Sequence, residues 1–516
     1  MTDALAAPRL APLVARRWLA AGDPPGHRRV TGSLLFADIS GYTRVSERLA
    51  RRGRIGAEEA TALVDRVLRA LIEAIGSRGG DILDFAGDAL VALFPGAVSE
   101  SAAAASSAAV AIRGWFDAHG TETTSVGRVQ LQASVSVASG PVDLFLSGPA
   151  DELALFVAGA TATRLVHLER AAVAGEIRVC PATAAALGPR RGVVSRDDHH
   201  VLSRAFPPDP GVHTEWGADV ADDPRLVPRA LRTWLSASDL ALESDHRLAT
   251  IAFLVVGGLD DRIAANPDAV AADLDALLEV VCDAAARHRV SILDTDVTAD
   301  GVALFLAAGA PVATGADEER MLRTLRAVMT SPIATRLQIR AGTHRGPVFA
   351  GVVGTAYRAT YSAMGDTTNL AARVAYRAES GELLATIRGP QPVGARIRGG
   401  RRHSVPAQGQ GRCRDALPGR AGDRPARAGA GEPPARRPGA RTRDPAGSPR
   451  RGARRPRQRR GAHRRAGGRQ VTARGRGARG RADRGALLRA LWRRRRSHAV
   501  CRPPQVAARA RRSRRA

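Results

Sequence analysis

The sequence contains no lysine: all 78 of its basic residues are arginine, a bias expected of a GC-rich gene. The absence excludes any chemistry that needs an ammonium side chain, including a P-loop that holds phosphate with the lysine of Gly-Lys-Ser/Thr. Cysteine is almost as scarce. Cys180, Cys282, Cys413 and Cys501 show no CxxC or other metal spacing and no disulfide framework, so a reducing, cytoplasmic setting is expected, with Cys180 and Cys282 as small core residues. No apolar run approaches the length of a membrane span. The N-terminus, interrupted by Asp3, Arg9, Arg16 and Arg17, makes a poor signal peptide. A soluble chain without a membrane partner follows. Acidic residues are nearly missing from one end: residues 387–516 hold 40 basic and 5 acidic residues, which leaves 38 basic and 45 acidic in residues 1–386. The formal charge of +28 therefore belongs to the tail, and the body is mildly acidic. A chain of 516 residues has room for two or three domains.

What is present starts with "GSLLFADISGYTRVSERLA", residues 32 to 50. Ser33 to Ile39 reads as a short buried strand broken by Asp38, and a helical pattern starts at Tyr42. Free N–H groups at that helix start attract phosphate, and an acid beside a phosphate site suggests a metal between them. The alternative is that Asp38 only caps the helix. In "GGDILDFAGDALVALF", residues 79 to 94, two apolar segments flank the turn pair Gly87-Asp88 and predict a hairpin. Beside the first strand it would bring Asp88 near Asp38. Two converging carboxylates call for a cation, and hard oxygen ligands suit Mg²⁺ or Mn²⁺ held together with a polyphosphate. A solvated turn aspartate is the plainer alternative.

The chain then repeats itself. Residues 31–185 read strand, helix, hairpin, helix, strand, helix, strand, and "ATIAFLVVGGLDD" at 249 to 261 reopens the same order after a Pro-, Asp- and Arg-rich connector carrying a short helix. Expected boundaries are an N-terminal segment (1–29), a first domain (30–189), a connector (190–245), a second domain (246–386) and a tail (387–516).

The second copy contains "RAGTHRGPVFAGVVG" and "YSAMGDTTNLAARV". Together with "FADISGYT" and "GGDILDFAGDALVALF", these motifs resemble the class III nucleotidyl cyclase catalytic domain, in the family's order but divided between the copies. The tandem arrangement is most similar to the soluble adenylyl cyclase type of bacterial cyclase-ATPase fusions. The resemblance implies an α+β fold: two ferredoxin-like cyclase domains in pseudo-symmetric tandem, followed by a disordered basic tail. It implies conversion of ATP, or less readily GTP, to the 3′,5′-cyclic nucleotide and pyrophosphate for intracellular signalling. Asp38 and Asp88 would hold two Mg²⁺ or Mn²⁺ ions, and the backbone of Ile39, Ser40, Gly41, Tyr42 and Thr43 would face the β- and γ-phosphates. Asn369 would orient the ribose, Arg373 would stabilise the phosphorus in the transition state, and Ser362 would help read the base. Asn369 and Arg373 stand four apart, on one helical face; without the resemblance they read as surface residues. The two domains would pair within one chain.

The resemblance also predicts an asymmetry. Val255 stands where the first copy has Asp38, and Thr163 and His167 stand where the second has Asn369 and Arg373, so one complete and one degenerate site are expected. His167 then reads as a structural or pocket-lining residue. The family's adenine-reading lysine in the second hairpin has no counterpart here; Asp300 or Ala303 is expected at that position, and an acid would suit guanine. Asp84 replaces the lysine near the bicarbonate site of soluble cyclases, which argues against bicarbonate activation. A catalytically weak nucleotide-binding regulatory module is the rival reading. The tail reads either as a disordered arm that binds nucleic acid through phosphates or, preferably, as a frameshifted end. A one-base shift converts "HSVPAQGQG" and "HRRAGGRQVTAR" into a cyclase closing strand and a P-loop. On that preferred reading no nucleic-acid partner is expected.

Overall fold

The computed structural model describes residues 9–189, 192–196, 199–207, 220–237, 245–299, 301–386, 395–398 and 401–404. The first half opens with α1 (Leu13–Ala20), the long strand β1 (Gly26–Ser40), α2 (Tyr42–Ala50) and α3 (Arg54–Gly76). A hairpin of β2 (Asp81–Ala86) and β3 (Ala89–Pro95) leads to α4 (Val98–His119), a ribbon of β4 (Thr121–Thr124) and β5 (Gly127–Gln130), and β6 (Gln132–Ser147). Then come β7 (Ala154–Ala158), α5 (Ala160–Ala171), β8 (Ile177–Val179), α6 (Pro181–Leu187), β9 (Val193–Ser195) and β10 (His200–Leu202). After α7 (Arg229–Ala237), the second half runs β11 (Asp245–Gly257), α8 (Leu259–Ala265), α9 (Pro267–His288), β12 (Ser291–Thr298) and β13 (Gly301–Ala308). It continues through α10 (Asp317–Met329), β14 (Gln338–Gly354), β15 (Ala359–Met364), α11 (Asp366–Arg377), β16 (Leu383–Ala385), β17 (Ala395–Arg398) and β18 (Arg401–Ser404).

The halves build the same sheet. The first is ordered β2-β3-β1-β6-β8-β10-β9 with β7 on β6, and the second β12-β13-β11-β14-β16-β17-β18 with β15 on β14. The agreement extends to single residues. Both hairpins carry a bulge at the same place, between Ile82 and Asp84 and between Ile292 and Asp294. Thr161 and Thr367, the second residues of α5 and α11, each donate to a proline carbonyl at 2.6 Å, that of Pro141 and that of Pro347. The α+β class agrees with the sequence reading.

Helical periodicity explains the packing. Leu63, Val64, Val67, Leu68, Leu71, Ile72 and Ile75 of α3 recur at three- and four-residue steps and are all buried, forming one apolar stripe against the sheet. Each core also takes in residues of the other half. Val353 and Met364, from the β14–β15 hairpin, join the first half's core. Phe145, Phe156 and Ala158, from the β6–β7 hairpin, join the second's. Cys180 and Cys282 are buried free thiols, as expected of small core residues. Among the described residues no helix is long and apolar enough to cross a membrane.

Three expected boundaries move. β1 begins at Gly26, and α1 is anchored by Asp81, whose carboxylate accepts from the Leu13 and Val14 N–H groups at 2.9 and 2.7 Å; with Ala11, Ala15 and Trp18 in a core cluster built mainly from the first half, residues 11–29 join that half, whereas Arg9 is bonded to Ala356 and Ala359 of the second. The first sheet continues past residue 189, because β10 pairs with β8 and β9 with β10. The second sheet continues past Thr386 through β17 and β18. The alternation Ala395-Arg396-Ile397-Arg398 is the period-two signal that the Arg-rich composition concealed. The rest of the tail, with its frameshift and nucleic-acid readings, lies outside the described residues.

Candidate functional site

Asp38 lies near the end of β1, opposite Ala89 of β3. The next residue, Ile39, donates its N–H to the Asp88 carbonyl at 3.4 Å, so the strand end and the hairpin turn are adjacent. Gly87 supplies the positive φ of +67° that the turn requires. Both aspartates are half-buried. Burial and then the charge of Asp38 push the Asp88 carboxyl up to about 7. A carboxylate whose proton affinity is raised by the charge of its neighbour forms with it a donor set suited to a hard divalent cation, which would relieve the repulsion. They fit Mg²⁺ or Mn²⁺, provided that substrate oxygens fill the remaining positions.

The chain turns from β1 into α2 through Gly41, whose φ of +97° sets the N-cap. The Ile39 side chain is buried, and the Ser40 hydroxyl is bonded to that of Ser134 at 2.7 Å. Ser40 can therefore face a phosphate only through its backbone, and the Ile39 N–H is already committed to the Asp88 carbonyl. Tyr42 opens α2, and Thr43 follows in its first turn, where helix N–H groups have no intrahelical partner.

In the second half, β15 passes through Gly365, with φ +131°, into α11. The Thr368 hydroxyl donates to the Ala363 carbonyl at 2.6 Å, which fixes the helix start. Asn369 and Arg373 follow on successive turns and are half-buried. Among the described residues neither side chain has a hydrogen bond or an ion pair. Tyr42, Gly87 and Asp88 of the first half and Met364, Gly365 and Asn369 of the second line a single cleft. The structure thus brings Asp88 of the predicted acid pair and Asn369 of the predicted Asn/Arg helix to one cleft, whose lining does not include Asp38. Arg373 lies one turn beyond the cleft's lining.

The counterpart of this site is closed. Val255 sits opposite Ala303, as Asp38 sits opposite Ala89, so the residue before each alanine is equivalent and Val302 corresponds to Asp88. Val255 and Val302 are buried. Phe156, Ala158, Leu259 and Ile263 share one apolar core cluster with Val302, and the Thr163 hydroxyl donates to Asp260 at 3.1 Å. His167 is exposed and lines a separate cavity of about 210 Å³ with Arg164, Arg178 and His199, in keeping with a pocket-lining role.

The register also corrects the second hairpin. Asp84 pairs with Val91 and Asp294 with Phe305, each just after its bulge, so Asp294 holds the position corresponding to Asp84. Ala303 lies in the strand opposite Val255, and Asp300 lies outside the described residues. Four extra residues in the second hairpin displaced the alignment; the tripeptide Ile-Leu-Asp, present at 82–84 and 292–294, was the available signal. Sequence reasoning also missed Arg358. Its buried guanidinium donates to the Ile82, Leu83, Leu10 and Ala359 carbonyls at 2.6 to 3.4 Å, holding the second half to the bulge of the first.

Residues 252–388 match the model of the adenylate and guanylate cyclase catalytic domain. The chain is 39% identical over 72 residues to adenylate cyclase type 10 of Rattus norvegicus and 42% identical over 65 residues to that of Homo sapiens. These matches cover 14% and 12% of the chain and 4% of each relative, so the chain spans a small part of their length. Among solved structures, a class III adenylyl cyclase-like ATP-binding protein from Pseudomonas aeruginosa superposes with a TM-score of 0.51 at 14% identity, over 70% of this chain and 84% of that one. That likeness extends the shared fold beyond residues 252–388.

Proposed function

We propose that this chain, whose residues 252–388 belong to the adenylate and guanylate cyclase catalytic-domain family, is a nucleotidyl cyclase with one working site assembled between its two halves. The reading treats the halves as cyclase folds in tandem, which their matching strand orders support. A purine nucleoside triphosphate binds in the cleft. The ribose 3′-oxygen attacks the α-phosphorus, the bond from that phosphorus to the oxygen bridging to the β-phosphate breaks, and pyrophosphate leaves. Asp38 and Asp88 would hold two Mg²⁺ or Mn²⁺ ions, which when bound stabilise the attacking and leaving oxygens. The chain's own residues do the rest. The backbone from Ser40 to Thr43 supplies N–H donors to the outer phosphates, Asn369 orients the ribose, and Arg373 brings a cation to the charge that develops on phosphorus.

The observation that carries this reading is the cleft shared by Asp88 and Asn369, because neither half alone holds both kinds of group. Incubating the chain with ATP or GTP and Mn²⁺ and assaying cyclic nucleotide and pyrophosphate tests it. Product from either supports the cyclase; tight nucleotide binding without product from either would replace it with a nucleotide-binding regulatory module.

A further inference from the structure

The cavity of about 210 Å³ on the first half shares no residue with the cleft. A single water needs about 10–15 Å³ of such space, so a polyatomic ligand fits. Four basic side chains line it: Arg164 and His167 of α5, Arg178 of β8, and His199 just before β10. Among the described residues its lining holds no acid. Arg178 is held in place, for its side chain is 16% exposed and its Nε donates to Glu176 at 2.8 Å. Glu176 is fixed in turn by the Val173 N–H at 3.1 Å. The terminal guanidinium nitrogens of Arg178, and the whole guanidinium of Arg164, have no hydrogen bond or ion pair among the described residues. Leu168 and Cys180, which also line the cavity, belong to a buried core cluster and give it a firm wall.

The second half shows that the fold does not need these charges. Gly159 and Gly365 cap equivalent helices, and Arg178 pairs with Ser136 as Leu384 pairs with Gly342. Leu370 and Leu384 therefore stand where the first half has Arg164 and Arg178.

We infer that this cavity binds a phosphate-type anion, with Arg164 and Arg178 as the charged donors and His167 and His199 as the flanking ones. Arginine keeps its charge at any working pH, and its fork of N–H groups matches phosphate oxygens. Donors arriving from three separate elements suit a tetrahedral anion, whose oxygens point in several directions; a planar carboxylate would leave some of them unmatched. The inference is independent of the cyclase reading, because no residue of the cleft takes part.

Amide hydrogen exchange read by mass spectrometry tests it on the full chain without divalent metal, since this reports residues 160–182 separately from the arginine-rich residues 387–516. Those residues should gain protection saturably as inorganic phosphate is titrated at constant ionic strength. Arg164→Leu and Arg178→Leu, which match the second half's leucines, should each raise the titration midpoint at least about 10-fold, as loss of a charged hydrogen bond does. Arg128→Leu, at an exposed arginine of β5, removes the same charge and should leave the midpoint unchanged, as should Arg373→Ala. Glycerol 3-phosphate, titrated in parallel, tells an esterified phosphate from the free ion, and saturable protection by either supports the site. Acetate at equal ionic strength should give none. No saturable protection by either phosphate, equal protection by acetate, or a midpoint moved as far by Arg128→Leu or Arg373→Ala as by Arg164→Leu would overturn the assignment.

Discussion

Asp88, on a hairpin turn of the first half, and Asn369, one turn into the last long helix of the second, line the same cleft. They meet because each half buries a hairpin in the other's core: Val353 and Met364 on one side, Phe145 and Phe156 on the other. The exchange fixes the cleft as firmly as it fixes the cores.

Removing the acid pair should end turnover without unfolding the chain. Asp38→Ala and Asp88→Ala are each expected to lower kcat by about 10²–10³ or more, as loss of a group that stabilises developing charge does. Both residues are half-buried and each carries a like charge beside the other, so the melting temperature should not fall. Parallel kinetics and thermal melts check this.

The two equivalent helix positions should behave differently. Arg373→Ala is expected to cost about 10²–10³ in kcat, whereas His167→Ala, which lines the separate cavity, should stay within a few-fold, about 1 kcal/mol of barrier or less. Steady-state kinetics on both variants decide it.

The acid pair also sets a pH dependence. The Asp88 carboxyl is raised to about 7 by burial and then by Asp38, above its unfolded value of roughly 4. Its contribution to stability is therefore fully present below about pH 4 and is lost as pH rises through about 7. Metal-free protein should lose melting temperature across that window, Mn²⁺ should restore it at pH 8, and Asp38→Asn should flatten the slope.

The seam between the halves carries a second carboxyl of the same sign. Asp84 is buried against two further carboxyls, and burial followed by the charges of Asp294 and Asp296 raises its pKa well above normal. Asp84→Asn should thus stabilise the chain at pH 8, by about 1–3 kcal/mol, with less gain at pH 4. Arg358→Ala should act oppositely, costing about 3–5 kcal/mol, since it strips donors from four carbonyls at the seam. Melts of both variants at the two pH values test the pair.

Much of this was legible in the sequence, for identifiable reasons. Asp38 interrupts an apolar strand, Gly87-Asp88 separates two short strands, and Asn369 and Arg373 keep a four-residue step; each signal is local and survives folding unchanged. What could not be read was register. The bulges at Leu83 and Leu293 and the longer second hairpin moved Asp294 away from the position that simple counting assigned, and Val302 could be matched to Asp88 only through strand pairing. Arg358 was invisible because its partners are backbone carbonyls, three of them distant in sequence, which no side-chain pattern announces.

The most direct test of one shared site within one chain is to mix the Asp38→Ala and Arg373→Ala proteins and assay cyclic nucleotide formation. Each variant lacks part of its only complete site, so an intramolecular site predicts activity no greater than the sum of the two inactive proteins at any concentration. Recovery of a substantial fraction of the unmodified activity, rising with concentration, would show that the site forms between chains and would contradict the pairing described for Asp88 and Asn369.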